Sequence, residues 1–418
     1  MNTMILHAGA LLLVAVLPTV GCGGIGATSK SAGAGAETTS LSCKAAMPFA
    51  GNPPHLAIST SLFPTATDVA SINTPMPAAL SALLNQQVTD ILRKTGAPAI
   101  NAAIKVPGLG SWNSTQGLAR TNPAQAVNEA TEFYWGSVAK PLTAVLVLQL
   151  VEEKKLSLDD PLSRWFPQIP QAEYIRVSHL LAHTSGLQTN VNSASGLGLE
   201  SPAQQLSVLS KMPLLFCPGT NASYSNVGYL LLALIVENIE QQPLHQSMQR
   251  RIAAPLGLQH LRVLRPGEDT PTALATSHEG QTPKDDPTAW TRLGAGNVVA
   301  RAEDMAVFWQ AVLSGRLLAT TTVQAQWTVL NNLGGQAAGS GQGMQWFGQG
   351  VMLMEWTDEK GHPRTWLGHL GDIPTANAAL VYDPTAHAIT SVAVNSAVSS
   401  AAVANALLKV VLDWREQH

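Results

Sequence analysis

The chain has 418 residues, 45% of them hydrophobic and only 12% charged, with a formal net charge of −3. That length is ample for one large core or two sub-domains, and the apolar content excludes a disordered chain. The near-neutral charge, with no cluster of lysine and arginine, excludes a nucleic-acid partner.

In chain order, the first feature is the apolar run Ala8–Leu17, too short to span a bilayer as a stable helix. It reads as the core of a signal peptide over residues 1–22. Its end, Leu17-Pro18-Thr19-Val20-Gly21-Cys22, is similar to a bacterial lipobox, whose cysteine is lipidated after cleavage. Two features depart from that pattern: Thr19 replaces the usual branched apolar residue, and no lysine or arginine precedes the run. The expectation is an exported, periplasmic lipoprotein that meets the membrane only through a lipid on Cys22. Gly21–Gly26 formally matches G-x-G-x-x-G, but a dinucleotide site needs an amphipathic helix next. The small residues of 27–40 follow instead, as a linker would. Residues 23–76 therefore read as a flexible linker and an irregular, proline-containing extension.

The domain over 77–418 opens with the helical pattern Ala78–Leu92, then two strands of a hairpin, Ala97–Val106 and Ser111–Ala119. Next comes Ser137-Val138-Ala139-Lys140, the only place where a serine stands three residues before a lysine. On a helix these positions share one face. The run that follows, Pro141–Val151, is apolar on nearly every side, so this helix is buried; Pro141 is tolerated in its first turn. Burial lowers a lysine pKa, and a neutral amine beside a hydroxyl makes an activated nucleophile. The helix N-terminus adds a positive dipole end and free N–H groups near the serine.

From Ser157 to about Leu256 the patterns are mostly helical, broken by proline and glycine. Tyr224-Ser225-Asn226 falls within this stretch and His369-Leu370-Gly371-Asp372 beyond it. Gly334–Gly343 reads as a mobile loop, and Met344–Val394 alternates as strands do. Ser399–Trp414 closes as a helix. Strands at both ends of a helical middle imply an α/β part over about 77–155 and 288–418, with a helical part over about 156–287. His179 and His183 are four apart, but no H-E-x-x-H glutamate and no third ligand accompany them, so no metal is expected. Trp135 is a candidate for lining a pocket because it neighbours Ser137; the other tryptophans are core by default. No G-x-S-x-G elbow and no S-D-N occur, which argues against an α/β-hydrolase and against class A β-lactamase logic.

A serine, a tyrosine on a turn and a glycine-bearing strand, in that order, form an acyl-transfer site. With these motifs, and with Phe133–Pro141, Leu156–Pro161, His179–Leu187 and Val298–Met305, the chain from about Pro77 onward resembles a known superfamily. It is that of the serine β-lactamases and penicillin-binding proteins, on the branch of class C β-lactamases, D-Ala-D-Ala carboxypeptidases and related esterases. The resemblance implies an α/β fold, an antiparallel sheet flanked by helices with an all-helical insertion, and an active site in the cleft between the halves. It implies Ser137 as nucleophile, with Lys140 and Tyr224 sharing the proton handling and either one as the base. Tyr224 would then need its pKa depressed by Lys140. Asn226 would hydrogen-bond substrate or Lys140, and His369, Leu370, Gly371 and Asp372 would meet the substrate. The N–H groups of Ser137 and Asp372 would form the oxyanion hole. The segment holding His179 and His183 would be structural. No metal or organic cofactor is implied, and the partner is a small-molecule or peptide substrate.

One position departs from the family: Leu370 stands where threonine or serine is usual. It lacks the hydroxyl that binds a substrate carboxylate. This favours an ester or other neutral substrate over D-Ala-D-Ala peptides and β-lactams. The rival from another class is a penicillin-binding sensor or pseudoenzyme without turnover; intact Ser137, Lys140 and Tyr224 weigh against it. If Cys22 carries lipid, Cys43 and Cys217 remain as a pair in an oxidising compartment. Either they are bonded, tying the extension to the rim of the site, or both are free thiols with Cys217 buried.

Overall fold

A computed structural model describes residues 41–191, apart from 46, 56, 66–71 and 73, together with 201–265, 273–284, 291–336 and 343–418. The run Ala8–Leu17, Cys22 and the linker that follows lie outside these residues. So do six residues of the glycine-rich stretch, 337–342.

Helix α1 (Ala78–Thr95) buries Leu80, Leu84, Val88 and Ile91, which recur every three or four residues along one stripe. Covering each such side chain contributes about 1.5–3 kcal/mol relative to leaving it in water. The helix stops at Gly96, whose φ of +68° supplies the left-handed turn that ends many helices. Strands β1 (Ala99–Val106) and β2 (Gly110–Thr121) follow as an antiparallel hairpin. Short strands β3 (Ala124–Ala126) and β4 (Phe133–Tyr134) lead into helix α2 (Ala139–Glu152). The middle of the chain carries helices α3 (Val177–Leu181), α4 (Pro202–Leu209), α5 (Asn226–Glu240) and α6 (Leu244–Met248). Much of the rest of that region is turns, along with strand β5 (Arg262–Val263) and the pair β6 (Ser277–Glu279) and β7 (Thr282–Lys284).

Strand β8 (Val298–Ala300) precedes helices α7 (Ala302–Leu313) and α8 (Thr320–Ala325). The chain then meanders through β9 (Asn331–Gln336), β10 (Met344–Phe347), β11 (Met352–Thr357), β12 (Pro363–Ile373), β13 (Ala376–Asp383) and β14 (Ala388–Val394). Helix α9 (Ser400–Gln417) ends the chain. The glycine-rich stretch expected as a loop therefore starts as strand, since Gly334 and Gly335 belong to β9.

Among the described residues the main sheet has nine strands, ordered β3-β2-β1-β14-β13-β12-β11-β10-β9 and paired antiparallel throughout. The first hairpin thus closes against the last strand, in register Ile100↔Val394. Both faces of the sheet are covered. Ile100, Ala102 and Ile104 of β1 pack with α1 and α9, through Leu84, Leu407 and Val411. Ala99 and Ala103 point the other way, into the core shared by α2, α5 and α7. Burial on both faces is why β1 and β14 lack exposed positions. This is an α/β fold with an antiparallel sheet and flanking helices, as expected.

Candidate active site

Local structure fixes where Ser137 stands. Strand β4 pairs with β8 through Phe133↔Ala300, and Trp135 N–H donates to the Val298 carbonyl at 3.1 Å. The Trp135 indole N–H donates to the Ala300 carbonyl at 3.1 Å and the ring is fully buried. Trp135 is therefore core beneath the site rather than a pocket wall, because its partners lie on the β8 side. Gly136, with φ +49°, then turns the chain into a single 3₁₀ turn that holds Ser137 and runs on into α2. Strand β12 crosses this turn closely. A Cβ on Gly371 would collide with the Trp135 carbonyl oxygen and lie 3.2 Å from Ser137 N. Only glycine lets the two backbones approach this way.

Lys140 is wholly buried one turn into α2. Its Nζ lies 3.0 Å from Ser137 Oγ, 2.7 Å from Asn226 Oδ1 and 2.9 Å from the Ala295 carbonyl oxygen. Among the described residues no carboxylate pairs with it. Burial alone holds its pKa well below the ordinary lysine value. The three oxygens can accept from an ammonium, and the same places also serve a neutral amine. Once deprotonated, the amine can donate to Asn226 and Ala295 and still turn its lone pair to the Ser137 hydroxyl.

Tyr224 and Asn226 flank a helix cap. Ser225 caps α5 by accepting from Gly228 N–H at 3.1 Å, and its hydroxyl donates to the Gln188 carbonyl at 2.8 Å. Asn226 opens the helix, so its amide reaches Lys140 on one side while its Nδ2 donates to Asn190 Oδ1 at 2.8 Å on the other. Of the two expected partners for Asn226, the structure shows Lys140. The Tyr224 ring centroid lies 4.8 Å from Lys140 Nζ. Its ring stacks on His183, centroids 4.5 Å apart, and meets the edge of Phe347 at 5.6 Å.

Strand β12 supplies the opposite wall. His369 is buried, its Nδ1 2.6 Å from the Leu370 carbonyl oxygen. Burial, then the nearby Lys140, pulls its pKa down to about 3. Leu370 is half-buried in the same apolar cluster as Tyr224, Phe347 and Met352. Its N–H points to Met352 Sδ, toward the β11 edge. The N–H of Asp372, two residues on, faces the same edge. Pairing with β11 has ended there, at Met352↔Gly368. Asp372 N lies 3.7 Å from where a Cβ on Gly136 would sit, beside the Ser137 turn. The exposed Asp372 carboxylate accepts from Asn377 Nδ2 at 3.0 Å.

Cys43 and Cys217 are disulfide-bonded. Ala50 N–H donates to the Thr220 carbonyl at 2.6 Å, so the extension lies along the loop that leads to Tyr224. Cys22 is outside the described residues. The two histidines of the i, i+4 pair part company. His179 Nδ1 accepts from Arg176 N–H at 3.2 Å, while His183 takes φ +59° past the end of α3. Among the described residues no group of three or more histidine, cysteine or acidic side chains is placed to hold a metal. Sequence reasoning brought Ser137, Lys140, Tyr224, Asn226, His369, Leu370, Gly371 and Asp372 to the site, and the structure gathers them around the Ser137 turn. It missed Ala295, which acts through its backbone carbonyl and carries no residue-type signal. It also missed Asn190 and the contact of His183 with Tyr224.

A family model described as Beta-lactamase matches residues 84–413. The putative penicillin-binding protein PbpX of Bacillus subtilis (strain 168) is 29% identical over 248 residues, 58% of this chain and 62% of that protein. Esterase EstB of Burkholderia gladioli is 32% identical over 219 residues, 47% of this chain and 54% of the esterase. The chain thus spans less than two thirds of the length of these curated relatives. Among solved structures, D-amino acid amidase from Ochrobactrum anthropi SV3 complexed with L-phenylalanine amide superposes with a TM-score of 0.68. It is 22% identical, with 79% of this chain and 99% of the amidase covered. The octameric penicillin-binding protein homologue from Pyrococcus abyssi gives 0.65 at 20% identity, covering 79% of this chain and 77% of its own. At these identities the structural likeness is one of fold.

Proposed function

This chain is a member of the Beta-lactamase family, and from that footing we propose that it is a serine hydrolase working through an acyl-enzyme on Ser137. One observation carries the reading. A fully buried lysine with no carboxylate partner among the described residues stands 3.0 Å from the serine hydroxyl. Ser137 Oγ attacks the substrate carbonyl carbon as its proton passes to the Lys140 lone pair. The ammonium so formed is spread over Asn226 Oδ1 and the Ala295 carbonyl. The oxyanion takes hydrogen bonds from the N–H groups of Ser137 and Asp372. Collapse breaks the bond to the leaving group, which receives a proton relayed from Lys140 through Tyr224. Water then attacks the acyl-enzyme by the same proton route in reverse. The acid leaves and the Ser137 hydroxyl is restored.

The substrate class we favour is a neutral ester. Leu370 offers no hydroxyl, and it is half-buried against the apolar cluster of Phe347 and Met352. The esterase among the relatives points the same way. Export is the companion proposal, supported by the Cys43–Cys217 bond, which persists in an oxidising compartment. The mass of the mature N-terminus would reveal cleavage before Cys22 and a lipid upon it.

The test is covalent labelling with a fluorophosphonate, beside turnover of short-chain p-nitrophenyl esters, nitrocefin and D-Ala-D-Ala peptides. Labelling and ester turnover are expected in the wild type and lost in Ser137→Ala. A Ser137→Ala protein that still labels would overturn the assignment, and nitrocefin turned over faster than esters would overturn the substrate class.

A further inference from the structure

His183 has a conformation that a side chain seldom adopts and a set of contacts that explains it. The residue follows α3 at φ +59°, a position where helices ordinarily place glycine. Glycine would hold this backbone without strain, so the imidazole is there for what it touches. Its backbone and its ring both reach the tripeptide Ser223-Tyr224-Ser225. The His183 carbonyl accepts from Ser223 N–H at 2.9 Å, and its ring Nδ1 accepts from Ser225 N–H at 3.1 Å. Between these two anchors its ring lies on the Tyr224 ring, 4.5 Å between centroids and 24° from parallel. Tyr224 is therefore held at the backbone on both sides and at its face by a single residue.

We propose that His183 is a positioning residue for Tyr224, fixing its ring beside Lys140. The inference rests on the acyl-transfer reading above, in which Tyr224 relays a proton. The ring is buried, and Tyr229 and Phe347 close around it at 5.4 and 5.8 Å. It has no room to rotate away. Accepting from Ser225 N–H requires Nδ1 to be unprotonated, which puts the proton of the neutral ring on Nε2. Burial, then Lys140 and His369, holds the His183 pKa well below the ordinary histidine range, so the acceptor persists at neutral pH. Without the stacked imidazole and the Ser225 N–H anchor, Tyr224 would have more freedom to shift by fractions of an ångström. Misplacement of about 1 Å costs on the order of a hundredfold in rate.

The experiment is a double-mutant cycle on kcat/KM for a p-nitrophenyl ester, with Ser137→Ala as the blank. Tyr224→Phe should lower kcat/KM by about a hundredfold or more, the usual worth of a proton-transfer group. His183→Phe keeps a ring but loses the acceptor, and should lower it by about ten- to a hundredfold. In the Tyr224→Phe background the same His183→Phe change should cost no more than about twofold, because residues that act as a unit are not additive. His183→Asn serves as the second variant. It tolerates the left-handed backbone and offers an amide oxygen to Ser225 N–H, so it should retain more activity than His183→Phe even if the latter folds poorly. Equal losses in both Tyr224 backgrounds would make His183 merely structural and overturn the inference alone. Full activity in Tyr224→Phe would overturn the role given to Tyr224, and the inference with it.

Discussion

Helices α2 and α5 share two ends, and the two ends treat charge in opposite ways. At their N-termini stand Lys140 and Asn226, an amine bonded to an amide, with no carboxylate pairing with the amine among the described residues. At their C-termini stand Glu153 and Glu240, bridged by one guanidinium. Arg251 Nη1 and Nη2 reach Glu153 at 2.6 and 3.0 Å, and its Nε and Nη2 reach Glu240 at 3.0 and 2.7 Å. Arg250 adds a further pairing to Glu240. Cations at helix C-termini also meet the negative ends of both macrodipoles. There the Arg251 hydrogen bond pulls Glu153 down to about 2, whereas burial pulls Lys140 down. Pairing spends a charge on holding the helices together, while withholding a partner leaves an amine that can take a proton.

The sharpest way to break this contrast is to remove the amine. Lys140→Met should lower kcat/KM by about 10²- to 10⁴-fold, the range for losing a general base. The fold should persist, checked by circular dichroism, because methionine matches the apolar surroundings of α2. Next in size is the far end. Arg251→Met should destabilise the protein by about 3 kcal/mol in urea unfolding, the low end for breaking a buried pair, since Arg250 still reaches Glu240. Ester turnover per folded molecule should be unchanged. A loss of turnover there would show that the two ends are coupled.

The two ends should also respond to pH in separate windows. Lys140 is depressed in the folded state, so between its lowered value and 10.5 the unfolded chain binds a proton that the folded chain refuses. That destabilisation shrinks as pH rises toward 10.5, the ordinary lysine value. Stability relative to Lys140→Met should therefore increase from neutral to alkaline pH. Glu153 is depressed by pairing, so its contribution is present above 4.5 and lost as pH falls toward about 2. Arg251→Met should flatten that acid limb. The smallest effect expected concerns specificity. Leu370→Thr should raise the ratio of nitrocefin to ester turnover, by about tenfold, by restoring a hydroxyl to the substrate edge.

What the sequence disclosed follows from how local each interaction is. Ser137 and Lys140 are three residues apart, and Leu80, Leu84, Val88 and Ile91 recur on one stripe, so spacing alone located both. The hairpin β1–β2 was legible for the same reason. Gly371 was visible as part of a motif, but its cause is an approach to Trp135, more than two hundred residues earlier in the chain. Trp135 itself misled by adjacency to Ser137, since its indole turns to Ala300 on the core side. His183 was read beside His179 at helical spacing, yet α3 ends at Leu181 and the left-handed residue turns toward Tyr224. Arg251 and Glu153 are separated by 98 positions, beyond any local pattern.

The mechanism requires Lys140 to be uncharged beside Ser137 at working pH. That state can be read from lysine labelled at Cε, followed by NMR across a pH titration, with the Lys140 resonance assigned by its disappearance in Lys140→Met. The resonance should titrate well below 10.5, the ordinary lysine value, and Asn226→Asp should move its midpoint upward while lowering kcat/KM at neutral pH. A Lys140 resonance that titrates at or above the ordinary value would contradict the account.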